Sequence, residues 1–314
     1  MSTTTRPAED QLLGWMQSLS NWGRWGADDQ RGTLNLITPE RTRHALSLVR
    51  EGATVSCAHR VSYEGAPDVP RPPQHYMLSS GDGYRPGEGP DRQACSDYIG
   101  LVFHGHIITH IDSLAHFFWD GRLYNGVPAQ RVSTAEGATS HSVEAARTGI
   151  VTRGVLVDAP MLRGVHFIER GDGVGLEDVA RAEAQCGFEI GEGDVLLLRT
   201  GQLGQRERTG PVDPYRGGSS GPLPELLPLI HERGVAVLGS DTGNDVMPTG
   251  YPRFTNPVHQ VGIVGMGLWI LDNAWLDDLA EACQARKQWE FAINILPLRL
   301  SNATGSPVNP VAVF

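Results

Sequence analysis

The segment HGHIITHIDSLAHFFWD (104–120) concentrates four histidines and an aspartate between positions 104 and 116, in a chain with eleven histidines altogether. Imidazole and carboxylate groups are the usual ligands of zinc and manganese, and spacing decides which of them can share one ion. On a helix, His106 and His110 would lie on one face and Asp112 would point well away from them. On an extended chain, positions 104, 106, 110 and 112 are an even number apart and can face the same way. The run YIGLVF (98–103) just before them is strand-like, which favours the extended arrangement. His106, His110 and Asp112 then offer two imidazoles and a carboxylate to one divalent ion, leaving its other positions open. His104, directly before the turn-forming Gly105, is not expected to join them. Ser113-Leu114-Ala115 can open a turn that returns His116 over the same spot. Burying these groups among Ile107, Ile108, Leu114 and Phe117 is costly unless partners or a metal satisfy them.

Such a set suits acyl hydrolysis. A divalent ion polarises a carbonyl and lowers the pKa of bound water to about 7. An imidazole such as His116, with an ordinary pKa near ~6.5, can take that proton and return it to a leaving nitrogen or oxygen. No organic cofactor is needed. Phe103, Phe117, Phe118 and Trp119 would suit a flat, partly apolar ring, and Phe103 and Phe117 are candidate substrate contacts. Trp22 and Trp25, in the glycine-rich loop 21–33, either anchor the core or form a flap over such a ligand.

Other motifs are weaker. The sequence has no HExxH. Gly171-Asp172-Gly173-Val174-Gly175 lacks the Lys-Ser/Thr that a phosphate loop requires. Ser240, Asp241 and Asp245 follow a strand and could reach a site at the strand ends, although a capped turn accounts for them better. Two competing functions remain. One is a non-haem iron oxygenase built on His110, Asp112 and His259, which leaves His106 and His116 without a role. The other is a metal-binding protein without turnover, which has no use for an unligated His116.

The pattern H-x-x-x-H-x-D-x-x-x-H, here His106, His110, Asp112 and His116, resembles the signature of the cyclase family, which includes bacterial kynurenine formamidase and isatin hydrolase. The usual form is close to HxGTHxDAPxHF. Ile107-Ile108 and Ser113-Leu114 depart from it, while the ligand positions match. The resemblance runs over roughly 50–310 and takes in VHQVGIVGMGLWILDNAWLDDL (258–279) and PLRLSNATGSPV (297–308). It implies a swivelling β/β/α fold, a homodimer or homotetramer, and a zinc or manganese ion on His106, His110 and Asp112, with His116 as base. It also implies a second metal on a later His and Glu. His259 matches that His, but Asp272 falls one residue beyond the Glu position and is shorter. One metal is therefore expected, with His259 and Asp272 as a possible second site, or His259 contacting the substrate carbonyl or relaying a proton.

The elements that must position these residues are those of an α/β chain. Strand-like runs occupy 98–103, 150–157, 194–198, 235–239 and 290–296. Helical patterns fit 8–19, 142–148, 176–186, 223–233 and 276–286, and another opens at Thr38, an N-cap, followed by Pro39. Strands and helices alternate over 150–240, which argues for one mixed-sheet core. Residues 1–50 are expected as a helical extension carrying the tryptophan loop, and 51–314 as the hydrolase domain. The Pro/Gly-rich stretch 64–97 is a long loop of the kind that serves as a lid or interface arm.

With 314 residues, 40% hydrophobic and 20% charged, the chain is of ordinary globular composition. A formal net charge of −10 disfavours nucleic acid as a partner, so a small molecule is expected. No secretory signal or membrane span is evident, and four widely spaced cysteines read as thiols. The cytoplasm is the expected location.

Overall fold

The computed structural model describes residues 6–87 and 93–314. Positions 88–92, part of the expected long loop, and 1–5 lie outside the described residues. The architecture is a single α/β domain around a mixed nine-stranded sheet. In spatial order its strands are Thr54–Ser56, Val311–Val313, Glu290–Ile295, Ile150–Asp158, Val195–Arg199, Val237–Ser240, Trp269–Asp272, His110–Asp112 and Gly305–Pro307. Ile150–Asp158 through Trp269–Asp272 run parallel, and every pairing outside that block is antiparallel. The parallel strands are apolar along most of their length because both faces are covered. Val195, Leu196, Leu197 and Leu198 are all fully buried.

The helices follow their sequence signals. Thr38 Oγ1 accepts from the Arg41 N–H at 3.4 Å and opens Pro39–Ser47. Helix Leu176–Cys186 matches its expected span, and the Asp178 carboxylate accepts from the Gly175 N–H at 2.9 Å. Helix Leu227–Arg233 stops at Gly234, whose φ of 66° suits a residue without a Cβ. The run 142–148 forms only the 3-10 turn Val143–Ala146. No helix among the described residues is long and apolar enough to cross a membrane.

The first fifty residues join the same core. Leu12, Leu19 and Leu34 pack into one cluster with the sheet. Gly32 has φ +54°, and a Cβ there would lie 2.2 Å from the Gly267 oxygen, so only glycine permits the approach. Trp269 Nε1 donates to the Arg31 carbonyl across the same contact at 2.9 Å.

One difference from expectation matters for the site. YIGLVF does not lead as a strand into the histidines. Ser96–Gly100 pairs with Gln74–Ser79 in an exposed two-stranded ribbon, where Tyr76 stacks on Tyr98 with ring centroids 4.8 Å apart. The chain then bends through 104–108 and resumes strand geometry only at His110–Asp112.

Candidate metal centre

Strand His110–Asp112 lies between Trp269–Asp272 and Gly305–Pro307, with His110 opposite Asp272 and Asp112 opposite Gly305. The two-residue period puts His110 and Asp112 on one face. The preceding bend is held from a distance. Asn273 Nδ2 donates to the carbonyls of Gly105 (2.8 Å) and Ile108 (3.2 Å), and Thr109 Oγ1 donates to the Asn273 carbonyl at 2.6 Å. Gly305 leaves room for what the bend delivers, since a Cβ there would lie 3.0 Å from His104 Cε1.

The result is a ring of imidazoles around Asp112. Its Oδ1 is 3.0 Å from His104 Nδ1 and 3.4 Å from His110 Nε2. Its Oδ2 is 3.4 Å from His259 Nε2 and 3.7 Å from His116 Nε2. Asp272 Oδ2 completes the group, 3.6 Å from His110 Nε2 and 3.5 Å from His259 Nε2. Asp112 is 0% exposed, yet neither of its oxygens has a hydrogen bond, and His104 Nδ1 is equally unpartnered despite its short distance. The contact is close without being aligned for a shared proton.

The outer nitrogens explain why. His110 Nδ1 lies 2.8 Å from the Ile108 oxygen, His259 Nδ1 2.6 Å from Asp245 Oδ2, and His104 Nε2 2.9 Å from Thr304 Oγ1. The Ile108 carbonyl and the Asp245 carboxylate only accept, so they keep a proton on Nδ1 of His110 and His259 and leave each Nε2 facing inward, while Thr304 Oγ1 can donate or accept at His104. A cation bonded at about 2.1 Å sets neighbouring donors roughly 3.0–3.4 Å apart, close to the spacings found here. Two donor groups stand close enough to hold an ion, His104/Asp112/His116 and His110/Asp112/Asp272. The residues present therefore fit a divalent metal.

Burial and mutual charge govern protonation. Burial pushes the Asp112 carboxyl up, but the surrounding imidazoles outweigh it and hold the group well below the usual range. For His259, burial opposes the charge, and Asp272, Asp112 and Asp245 overcome that and raise it well above the usual value. His116 is pushed down to about 4, chiefly by burial.

His110, Asp112, His116, His259 and Asp272 are thus brought together, and His106 stands outside both donor groups. It sits in the bend, its ring 5.3 Å from that of Tyr215 and its Nδ1 beside Gly243, on the wall of a cleft of about 290 Å³ shared with Asp68, Phe103 and His104. The even spacing from 106 to 112 aligns side chains only on extended backbone, and this backbone bends. His104, set aside in the sequence reading, takes the inward position instead. Phe103 lies 4.5 Å from the His104 ring, and Phe117 4.8 Å and 4.9 Å from those of His116 and His259, so both line the centre. Trp22 Nε1 donates to the Val264 carbonyl at 2.7 Å, and Trp25 lies under the Arg24 guanidinium, contacts that anchor the loop.

Sequence reasoning passed over Asn244 and left Asp245 between a strand-end site and a capped turn. Asp245 also accepts from the Val258 N–H at 2.8 Å, so it caps the helix that carries His259 as well as orienting its ring. Asn244 Nδ2 donates to Asp272 Oδ1 at 2.6 Å. Asp241 is a capped turn, accepting from Thr200 and Gly201. Gly217-Gly218-Ser219-Ser220-Gly221 has the G-x-S-x-G spacing of serine hydrolases, but Ser219 Oγ donates to the Ser220 carbonyl at 2.8 Å.

Comparison with known proteins bears on the fold and the family. A crystal structure described as a novel cyclase is 33% identical, with a TM-score of 0.85, over 95% of this chain and 100% of that one. Isatin hydrolase A from Labrenzia aggregata, bound to benzyl benzoate, is 20% identical, with a TM-score of 0.58, over 85% and 94%. Isatin hydrolase A from Ralstonia solanacearum is 18% identical, with a TM-score of 0.58, over 100% of both chains. At these identities the two isatin hydrolases share the fold. No curated protein matches the chain. The profile of the cyclase family matches residues 47–244, and the chain belongs to that family.

Proposed function

We propose that this protein is a metal-dependent hydrolase that opens a cyclic amide or lactone, or cleaves an N-formyl amide, of a small ring-containing substrate. The carrying observation is the fully buried Asp112, whose two oxygens have no hydrogen bond while four imidazole nitrogens face them. A buried carboxylate without a hydrogen bond needs positive charge beside it, and a divalent cation is a partner that imidazoles and a carboxylate can share. Zinc or manganese would be held by Asp112 and His110, with His106 completing the set by the family pattern; by geometry His104 would be an alternative ligand beside Asp112, in the group that also contains His116. His259 and Asp272 would be further ligands of that ion or of a second one. When bound, the metal supplies Lewis-acid polarisation and a low pKa for water.

The chain's own residues do the rest. The side chain of His116 is 24% exposed, against 1% for His110 and 3% for His259, so its imidazole can meet a substrate. It takes the proton of the attacking water at Nε2 and returns it to the leaving nitrogen or oxygen. Asp245 holds the His259 ring so that Nε2 faces the reacting group. Phe103 and Phe117 bound the space for a flat ring and exclude water from it.

Metal analysis of the purified protein, followed by assays on a cyclic imide, a lactone and a formyl anilide, tests the reading. We expect bound divalent metal and turnover of at least one compound. His116→Ala should keep fold and metal and lose about 10²- to 10⁴-fold in turnover. Absence of bound metal, or full activity in that variant, would overturn the proposal. Metal content of His104→Ala against His106→Ala decides which of the two is the ligand.

A further inference from the structure

A second cavity adjoins the centre on the far side of His106. It is lined by Asp68, His106, Arg170, Arg206, Asp241 and Gly243, among others. Gly243 ties it to the centre, because the next residue, Asn244, holds Asp272. The charges of this lining are unequally satisfied. Arg206 donates to both oxygens of Asp68, at 2.7 and 3.1 Å, and to Glu207 at 3.0 Å. Asp241 is occupied by Thr200 and Gly201. Arg170 is half-buried, and among the described residues its guanidinium has no hydrogen bond, ion pair or ring contact.

Its base is fixed all the same. Gly171 N–H donates to the Ser219 carbonyl at 3.2 Å, and a Cβ on Gly218 would lie 3.4 Å from Arg170 Cβ. A half-buried arginine in the lining of a polar cavity, without a counter-ion, is set up for a planar anion. Two parallel N–H donors match a carboxylate in charge and geometry.

We propose that Arg170 receives a carboxylate of the substrate, so that the preferred substrates are small ring compounds bearing an anionic group in addition to the scissile acyl bond. This rests on the hydrolase reading for the word substrate, while the subsite itself is a binding claim. The two can fail separately.

The test is calorimetric titration of the metal-loaded protein with benzoate and with the three benzenedicarboxylate isomers. At least one isomer should bind wild type roughly 10- to 100-fold more tightly than benzoate, the size of a charge-assisted hydrogen bond. In Arg170→Met that advantage should collapse to about twofold, the statistical gain of a second identical group, while benzoate affinity stays unchanged. Arg170→Lys should keep part of it. Arg71→Met removes an exposed cation at the rim of the neighbouring cleft and should leave the ratio intact. No isomer gaining over benzoate in wild type, or a ratio that survives in Arg170→Met or is lost in Arg71→Met, would overturn the assignment. A retained ratio without hydrolysis of any test compound would leave the subsite standing and remove the hydrolase reading.

Discussion

Two aspartates in this molecule, Asp112 and Asp241, are both almost wholly withdrawn from solvent, and they are treated in opposite ways. Asp241 sits at the end of a parallel strand and accepts from Thr200 N–H at 2.7 Å, Thr200 Oγ1 at 2.8 Å and Gly201 N–H at 2.6 Å. The chain itself satisfies that carboxylate. Asp112 receives no hydrogen bond and is ringed by inward-turned imidazoles. Burial alone therefore does not mark a site. What marks it is a buried charge whose neighbours are arranged for a third party rather than for the charge itself.

The strongest way to break this contrast is Asp112→Asn. We expect metal content to fall and turnover to drop by about 10³-fold or more, with the fold retained by circular dichroism. Unchanged metal content in that variant would make Asp112 a structural group like Asp241. Next in size is Asp245→Asn, which loosens the hold on His259. It should cost about 10- to 100-fold in metal affinity or kcat/KM, with the fold retained by circular dichroism.

Asp241→Asn should do the reverse. It leaves metal content unchanged and costs about 1–3 kcal/mol, because one N–H loses its acceptor, and a denaturant melt reads this directly. The smallest effect concerns His141, a buried imidazole outside both donor groups, whose Nε2 is unpartnered. Burial pushes it down to about 4 from an ordinary 6.5. Because the folded value is the lower one, its contribution to stability is present above about 6.5 and is lost as pH falls through about 4. His141→Gln should flatten the fall in Tm over that window. An unchanged slope would show that other groups govern acid unfolding.

Much of the frame was legible because its signals are local. Thr38-Pro39, Arg233-Gly234 and the apolar runs at 150–157 and 194–198 each carry their own start, stop or burial pattern. The cluster of histidines around Asp112 was equally visible, as was the family pattern running through it. The choice between His104 and His106 was not. It depends on whether the backbone is extended from 104 to 110, and that is decided by Asn273, far along the chain, through its bonds to Gly105 and Ile108. Asp245 was underrated for a related reason. Its spacing from His259 becomes meaningful only once a helix start brings the two together at 2.6 Å.

The strand that carries the candidate ligands has only three residues, His110–Asp112, and takes its alignment from neighbours on both sides. A slip of a single residue would swing His110 and Asp112 to the opposite face and dissolve the donor set. A cation that binds only the aligned pairing would act as a lock on this margin of the sheet, joining His110 and Asp272, which lie 162 positions apart. Chelation should loosen the Gly305–Pro307 edge before the parallel interior responds, so amide exchange there reports ion occupancy without any substrate.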